Sequence, residues 1–181
     1  HLHYGIKSGS SWIDPTKVTM QSRGLQKIVG NVVTQAVQPV VKQVQGGVEA
    51  QIWSFLKNKG LSDNAVAGVM GNMQAESGYN PKAVNPIGAS GLVQWRGGRK
   101  TNLMNFAKDK GTSWQDVQTQ LEFLWKELNS SESRTLASLK QGDKLSAQQH
   151  AKNFENLFER SGGALMQRRQ NSAVDALNKF K

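Results

Sequence analysis

The run Leu61-Ser62-Asp63-Asn64-Ala65-Val66-Ala67-Gly68-Val69-Met70-Gly71-Asn72-Met73-Gln74-Ala75-Glu76 is followed at once by the breaker Ser77-Gly78-Tyr79-Asn80-Pro81. Apolar and small residues recur along it at helical spacing, and Ser62 is placed to cap its first turn. Glu76 therefore closes a mostly apolar helix. A carboxylate in the last turn meets the unfavourable end of the helix dipole, with few neighbours to hydrate its charge. Both effects hold on to the proton, as a general acid working near neutral pH requires. Downstream, Gly88-Ala89-Ser90-Gly91-Leu92-Val93-Gln94-Trp95-Arg96-Gly97-Gly98 is read as the opposite wall of a cleft. A glutamate before a glycine at a helix end is ordinarily a solvated surface residue. The apolar neighbours and the glycine-rich segment weigh against that reading here.

Beyond Gly47 every segment reads as helix. Val48 to Lys59 places Val48, Ile52, Phe55 and Leu56 on one side, and Gly60 stops it. Leu103, Met104, Phe106 and Ala107 mark a helix over 100–110. Ser113 with Asp116 reads as a capping box for a helix running to Asn129, and Ser146 with Gln149 as another for a helix burying Ala147, Phe154, Leu157 and Phe158. Leu136 and Leu139 mark a short helix, and 164–180 the last one. Seven helices with one long structured loop over 77–98 predict an all-α domain spanning 48–181. Loops of that length in compact domains are usually functional.

Upstream the pattern changes. Leu2, Tyr4 and Ile6 alternate as in a strand, so 1–20 reads as an extended segment, the edge of a preceding domain. Over 21–47 valines recur near helical spacing around Pro39, which predicts a partly helical linker. The chain starts mid-pattern and reads as part of something longer.

The chain has 181 residues, of which 37% are hydrophobic, so some of it is linker or surface helix. It has no cysteine, which excludes disulfides and thiolate chemistry. No apolar stretch is long enough to span a membrane. The net charge of +10 is spread along the chain and suits anionic polymers in general, whether wall polymer, DNA or membrane surface. No base-reading motif accompanies it, so no nucleic-acid readout is expected.

Other candidates read more plainly. Arg96-Gly97-Gly98-Arg99-Lys100 is solvated charge beside a cleft, and Arg168-Arg169 is a solvent face of the last helix. His1 and His3 point the same way on a strand, but two ligands make no zinc site. No second acid lies near Glu76 in sequence. Asp63 sits at the far end of the same helix, and Asp109, Asp116, Glu122 and Glu127 lie on later helices. Two-carboxylate glycosidases hold their pair about 5 to 9.5 Å apart. A one-carboxylate mechanism protonates the leaving oxygen and leaves another nucleophile to finish the step.

Met73 to Pro81 followed by Gly88 to Arg99, with Glu-Ser-Gly, Asn-Pro and Gly-Leu-Val-Gln-Trp in order, resembles the phage tail lysozyme domain, a relative of lytic transglycosylases and goose-type lysozymes. The resemblance covers roughly 48–181 and implies a lysozyme-like helical fold with a glycine-rich active-site loop. It implies that Glu76 protonates the β-1,4 glycosidic oxygen between N-acetylmuramic acid and N-acetylglucosamine of peptidoglycan. Ser77 and Gln94 would orient the acid or the sugar's N-acetyl group, and Tyr79 and Trp95 would form the saccharide-binding wall. Hydrolysis and anhydro-forming transglycosylation both stay open. The partners implied are bacterial peptidoglycan and other tail-tip proteins, and the location is a virion tail tip or the extracellular face of the wall. No cofactor is implied for this domain. The alternative is a non-catalytic wall-binding or tail structural module.

His1-Leu2-His3-Tyr4-Gly5-Ile6, followed by Trp12-Ile13-Asp14-Pro15, resembles the end of a lysostaphin-type zinc endopeptidase domain. There His1 would match a catalytic histidine and His3 a zinc ligand. The remaining ligands would belong upstream, so this segment is expected to bind no catalytic zinc by itself.

Overall fold

The computed structural model describes residues 47–181 together with Ile6–Ser8 and Ser11–Ile13. Two compact units divide the chain, His1–Lys42 and Gln43–Lys181. In the first, β1 (Ile6–Ser8) pairs antiparallel with β2 (Ser11–Ile13), with Lys7 opposite Trp12. His1, His3 and nearly all of the expected linker over 21–47 lie outside the described residues.

The second unit is all-α. It comprises α1 (Val48–Asn58), α2 (Asp63–Ser77), α3 (Gly97–Asp109), α4 (Val117–Leu128), α5 (Ser133–Leu139), α6 (Ala147–Phe154) and α7 (Met166–Phe180). A 3-10 turn, Gly142–Lys144, precedes α6, and a π-helical turn, Glu155–Glu159, follows it.

The centre of this unit is α2. Ser62 Oγ accepts from the Ala65 N–H at 3.2 Å, closing the N-terminus as the sequence predicts. Every residue from Ala65 to Met73 is buried. A helix buried on all faces needs neighbours at close range, and two glycines admit them. A Cβ on Gly68 would come within 2.8 Å of the Ala151 backbone nitrogen on α6. One on Gly71 would lie 2.9 Å from Ala173 Cβ on α7. These gaps seat α6 and α7 at neighbouring positions on α2. Asn72, fully buried, then locks the arrangement by donating to the Gly68 and Ala151 carbonyls, each at 3.0 Å.

Two expected boundaries move. The N-cap of α4 is Asp116, whose carboxylate accepts from Thr119 N–H at 2.8 Å, while Ser113 Oγ serves the turn at Gln115. The predicted Ser113–Asp116 capping box is therefore replaced by an aspartate cap one turn later. At Ser146 the capping box is complete, with Gln149 bonded reciprocally. After Phe154 the expected helix widens into the π turn, which stacks Phe154 on Phe158 at 4.6 Å between ring centroids. The same turn carries Glu155 into the interior, with 1% of its surface exposed. π turns inside helices are frequent at functional sites.

The long loop between α2 and α3 is folded on itself. Ser90 bridges both Val84 and Trp95, and Asn85 Oδ1 accepts from the N–H groups of Ile87 and Ala89. Beneath it Gln120, buried on α4, accepts from Leu92 N–H at 2.8 Å and donates to the Pro81 and Trp114 carbonyls at 2.7 Å. Gly91 has φ +81° and lies so close that a Cβ would meet Gln120 Oε1 at 2.7 Å. Glycine is required there on both counts.

Candidate active site

Glu76 stands in the last turn of α2, where the helix stops because Gly78 and Tyr79 both adopt left-handed conformations at φ 61°. Its side chain is 19% exposed. The sparsely partnered setting read from sequence is corrected by the fold. Arg169 Nη2 donates to Glu76 Oε1 at 2.6 Å. Arg169 itself is no solvent face: it is 1% exposed, on the first turn of α7. Its Nε donates to the Ala164 carbonyl at 3.0 Å, its Nη1 to Asn72 Oδ1 at 3.0 Å and its Nη2 also to Ser161 Oγ at 3.3 Å. The guanidinium is thus fixed by four groups, and Glu76 inherits that orientation.

Two further carboxyls come from the π turn. Burial alone would raise the Glu155 pKa, yet it lies below the ordinary value. The Gly163 N–H at 2.9 Å and the Ser161 hydroxyl at 2.8 Å donate to its Oε1, and Arg169 adds its charge. Glu159 behaves oppositely. Burial, and next the charge of Glu76, push its carboxyl well above the usual range, against the pull of Arg169 and Arg99. Its Oε1 is buried without a hydrogen-bond partner.

A second, part-buried charge cluster packs on the π turn. Arg99 Nε and Nη2 donate to the two oxygens of Glu127, both at 2.8 Å, and its guanidinium lies 4.2 Å from the centre of the Phe158 ring. The segment 96–100 is therefore only partly solvated charge. Arg96 is exposed, but Arg99 is paired and Lys100 Nζ donates to the Gly88 carbonyl at 2.9 Å.

The expected sugar-site residues fall into two groups. Ser77 Oγ donates to the Met73 and Leu92 carbonyls at 3.0 and 2.9 Å, so its hydroxyl ties α2 to the glycine-rich loop. Trp95 is 1% exposed, set edge-on against Phe123, with its indole N–H donating to Glu127 Oε2 at 2.8 Å. Its ring offers no open face to a sugar, which moves it from the expected wall to the loop's foundation. Gln94 is half-buried in a left-handed conformation, donating to the Gly91 carbonyl at 2.9 Å. Tyr79 is half-buried, and its hydroxyl pKa is raised by burial, then by the charges of Glu49 and Asp175.

Sequence reasoning missed Arg169, Asn72, Glu155, Glu159 and Ser161. The only available signal was the polar Asn72 inside an otherwise apolar helix, since a buried amide needs a partner.

A buried central helix ending on a carboxylate, roofed by a glycine-rich loop and enclosed by helices, defines a lysozyme-like helical domain. The chain belongs to the phage tail lysozyme family, whose family model matches residues 47–180. Among the described residues no helix is long and apolar enough to cross a membrane.

Proposed function

We propose that the chain cleaves the β-1,4 linkage between N-acetylmuramic acid and N-acetylglucosamine in bacterial peptidoglycan, with Glu76 as the general acid. The observation that carries this is a part-exposed carboxyl at the end of a buried helix, oriented by a buried guanidinium beside a pinned loop. Family membership supports the same chemistry. In the reaction, the Glu76 proton passes to the glycosidic oxygen and the C1–O electron pair leaves with it. The cation developing at C1 is then captured by water, or by the sugar's own C6 hydroxyl to give an anhydro end, and the Glu76 carboxylate takes back the proton that this oxygen loses. Tyr79 and Gln94 contact the saccharide in this reading, whereas Ser77 and Trp95 act by holding the loop that carries Gln94. Action at the wall, as part of a virion tail tip among other tail proteins, belongs to the same proposal and is supported by the family membership alone. A zinc peptidase preceding it, using His1 and His3, rests on the sequence resemblance alone.

Mass spectrometry of fragments released from purified cell walls tests the reading. Soluble muropeptides ending in anhydro or reducing N-acetylmuramic acid are expected, and which end appears assigns the nucleophile. The rival is a non-catalytic wall-binding module, favoured by the ion pair that occupies Glu76 in the resting structure. Wall binding without any released fragment would establish the rival.

A further inference from the structure

We propose that the segment 161–165 is a further flank of the glycan site beside Glu76, and that Leu165 is a specificity residue there, contacting an N-acetyl methyl group of the strand. The inference rests on the glycosidase reading above and adds a substrate contact to it.

The Arg169 guanidinium brings this segment to the acid. Its Nη2 donates to Glu76 Oε1 at 2.6 Å and to Ser161 Oγ at 3.3 Å, and its Nε to the Ala164 carbonyl at 3.0 Å. Segment and carboxyl are thus held by one buried side chain. Glu155 Oε1 accepts from the Ser161 hydroxyl at 2.8 Å and from the Gly163 N–H at 2.9 Å. The Arg169 and Met166 N–H groups donate to the Leu165 and Gly163 carbonyls at 2.9 and 3.2 Å. These bonds fix the backbone, yet every residue from 161 to 165 is exposed. Exposed loops held in place by a rigid scaffold are where binding residues concentrate.

Leu165 is the residue of this segment that packing does not explain. It is 54% exposed and stands outside the hydrophobic core. Its backbone is left-handed at φ 58°, where leucine is strained and glycine is not. Among the described residues the other non-glycine positions of positive φ are Tyr79, Gln94 and Arg160. Tyr79 and Gln94 are the saccharide contacts of the reading above, and Arg160 adjoins Ser161. Outliers of this kind gather at sites that hold a ligand. The strained backbone at 165 presents a lone aliphatic side chain to solvent near the acid. Hydroxyls cover most of a wall glycan, but each N-acetyl group ends in a methyl. That methyl is the apolar partner such a side chain can bury.

Leu165→Asn tests this directly, because asparagine tolerates the left-handed backbone. Leu165→Met, which keeps the apolar reach, is its control. Each is combined with Glu76→Gln in the full chain so that cleavage does not blur binding. Sedimentation then measures affinity for purified cell walls, native and chemically de-N-acetylated. Relative to Glu76→Gln alone, Leu165→Asn is expected to weaken binding to native walls about three- to tenfold, and Leu165→Met to restore most of it. On de-N-acetylated walls the difference should vanish; comparing variants on the same wall cancels the charge that the treatment adds. A merely structural role instead lowers the melting temperature and weakens binding equally on both walls. Unchanged affinity of Leu165→Asn for native walls, or a loss that persists after de-N-acetylation, overturns the proposal. Failure of the glycosidase reading shows separately, as a wild-type chain that releases no fragments while these affinities are still read.

Discussion

At the scale of single residues, the site turns on one buried arginine. Removing Arg169 leaves Glu76 and Asn72 Oδ1 without their donor inside the fold. Breaking such a pair by deleting one partner costs about 3 to 5 kcal/mol. Arg169→Met is therefore expected to lower the melting temperature sharply. Arg169→Lys keeps the charge but loses the fork that reaches Asn72, Glu76 and Ala164 together, so it should recover only part of that loss. Calorimetry on the two variants checks both. The buried carboxyls give opposite pH signatures. Glu159 has a raised pKa in the folded chain, so above its unfolded value of about 4.3 the unfolded state ionises first. Stability falls as pH rises from there until the folded carboxyl also ionises. Glu155 has a lowered pKa, so its contribution is present above about 4.3 and is lost as pH falls through the folded value. Thermal melts across pH should show that decline with rising pH in wild type and a flatter slope in Glu159→Gln. This residue scale was the least legible in the sequence. Arg169 lies 93 positions from Glu76, and an Arg-Arg pair on an amphipathic helix carries no mark of burial.

At the scale of elements, the helices were legible and their contacts were not. Ser62 and Ser146 announce their helices because a cap acts on the next turn of the same chain. Asp116 took the cap expected to involve Ser113 because its carboxylate already sits next to the first helical residue. Trp95 was misplaced for a different reason. An aromatic beside a glycine-rich loop reads as a ligand wall until Glu127, 32 residues further on, claims its N–H. Glycine spacing on α2 does carry tertiary information. Gly71→Ala would drive a methyl toward Ala173 and displace α7, and overpacking of this kind costs about 1 to 3 kcal/mol. The first turn of α7 carries Arg169, so wall cleavage should fall with stability. Gly98→Ala, with nothing within 4 Å, is the matched control and should leave the melting temperature unchanged or slightly raised. Calorimetry and wall-release rates on both variants test this contrast.

At the scale of the whole molecule, one all-α unit holds a part-exposed carboxyl at the end of its central helix by stacking α6 and α7 on α2 and pinning the following loop from α4 through Gln120. The helix class and the glycine-rich loop that follows Glu76 could be read from the chain alone, since both are local. The charge network around Glu76 could not, because it assembles from α2, the π turn, the segment after it and α7. The direct test is Glu76→Gln, a replacement that keeps shape and packing while removing the proton to be donated. A general-acid role for Glu76 predicts a variant that folds and binds purified cell walls but releases fragments at least about a hundredfold more slowly. A folded Glu76→Gln protein that released them at the wild-type rate would contradict it.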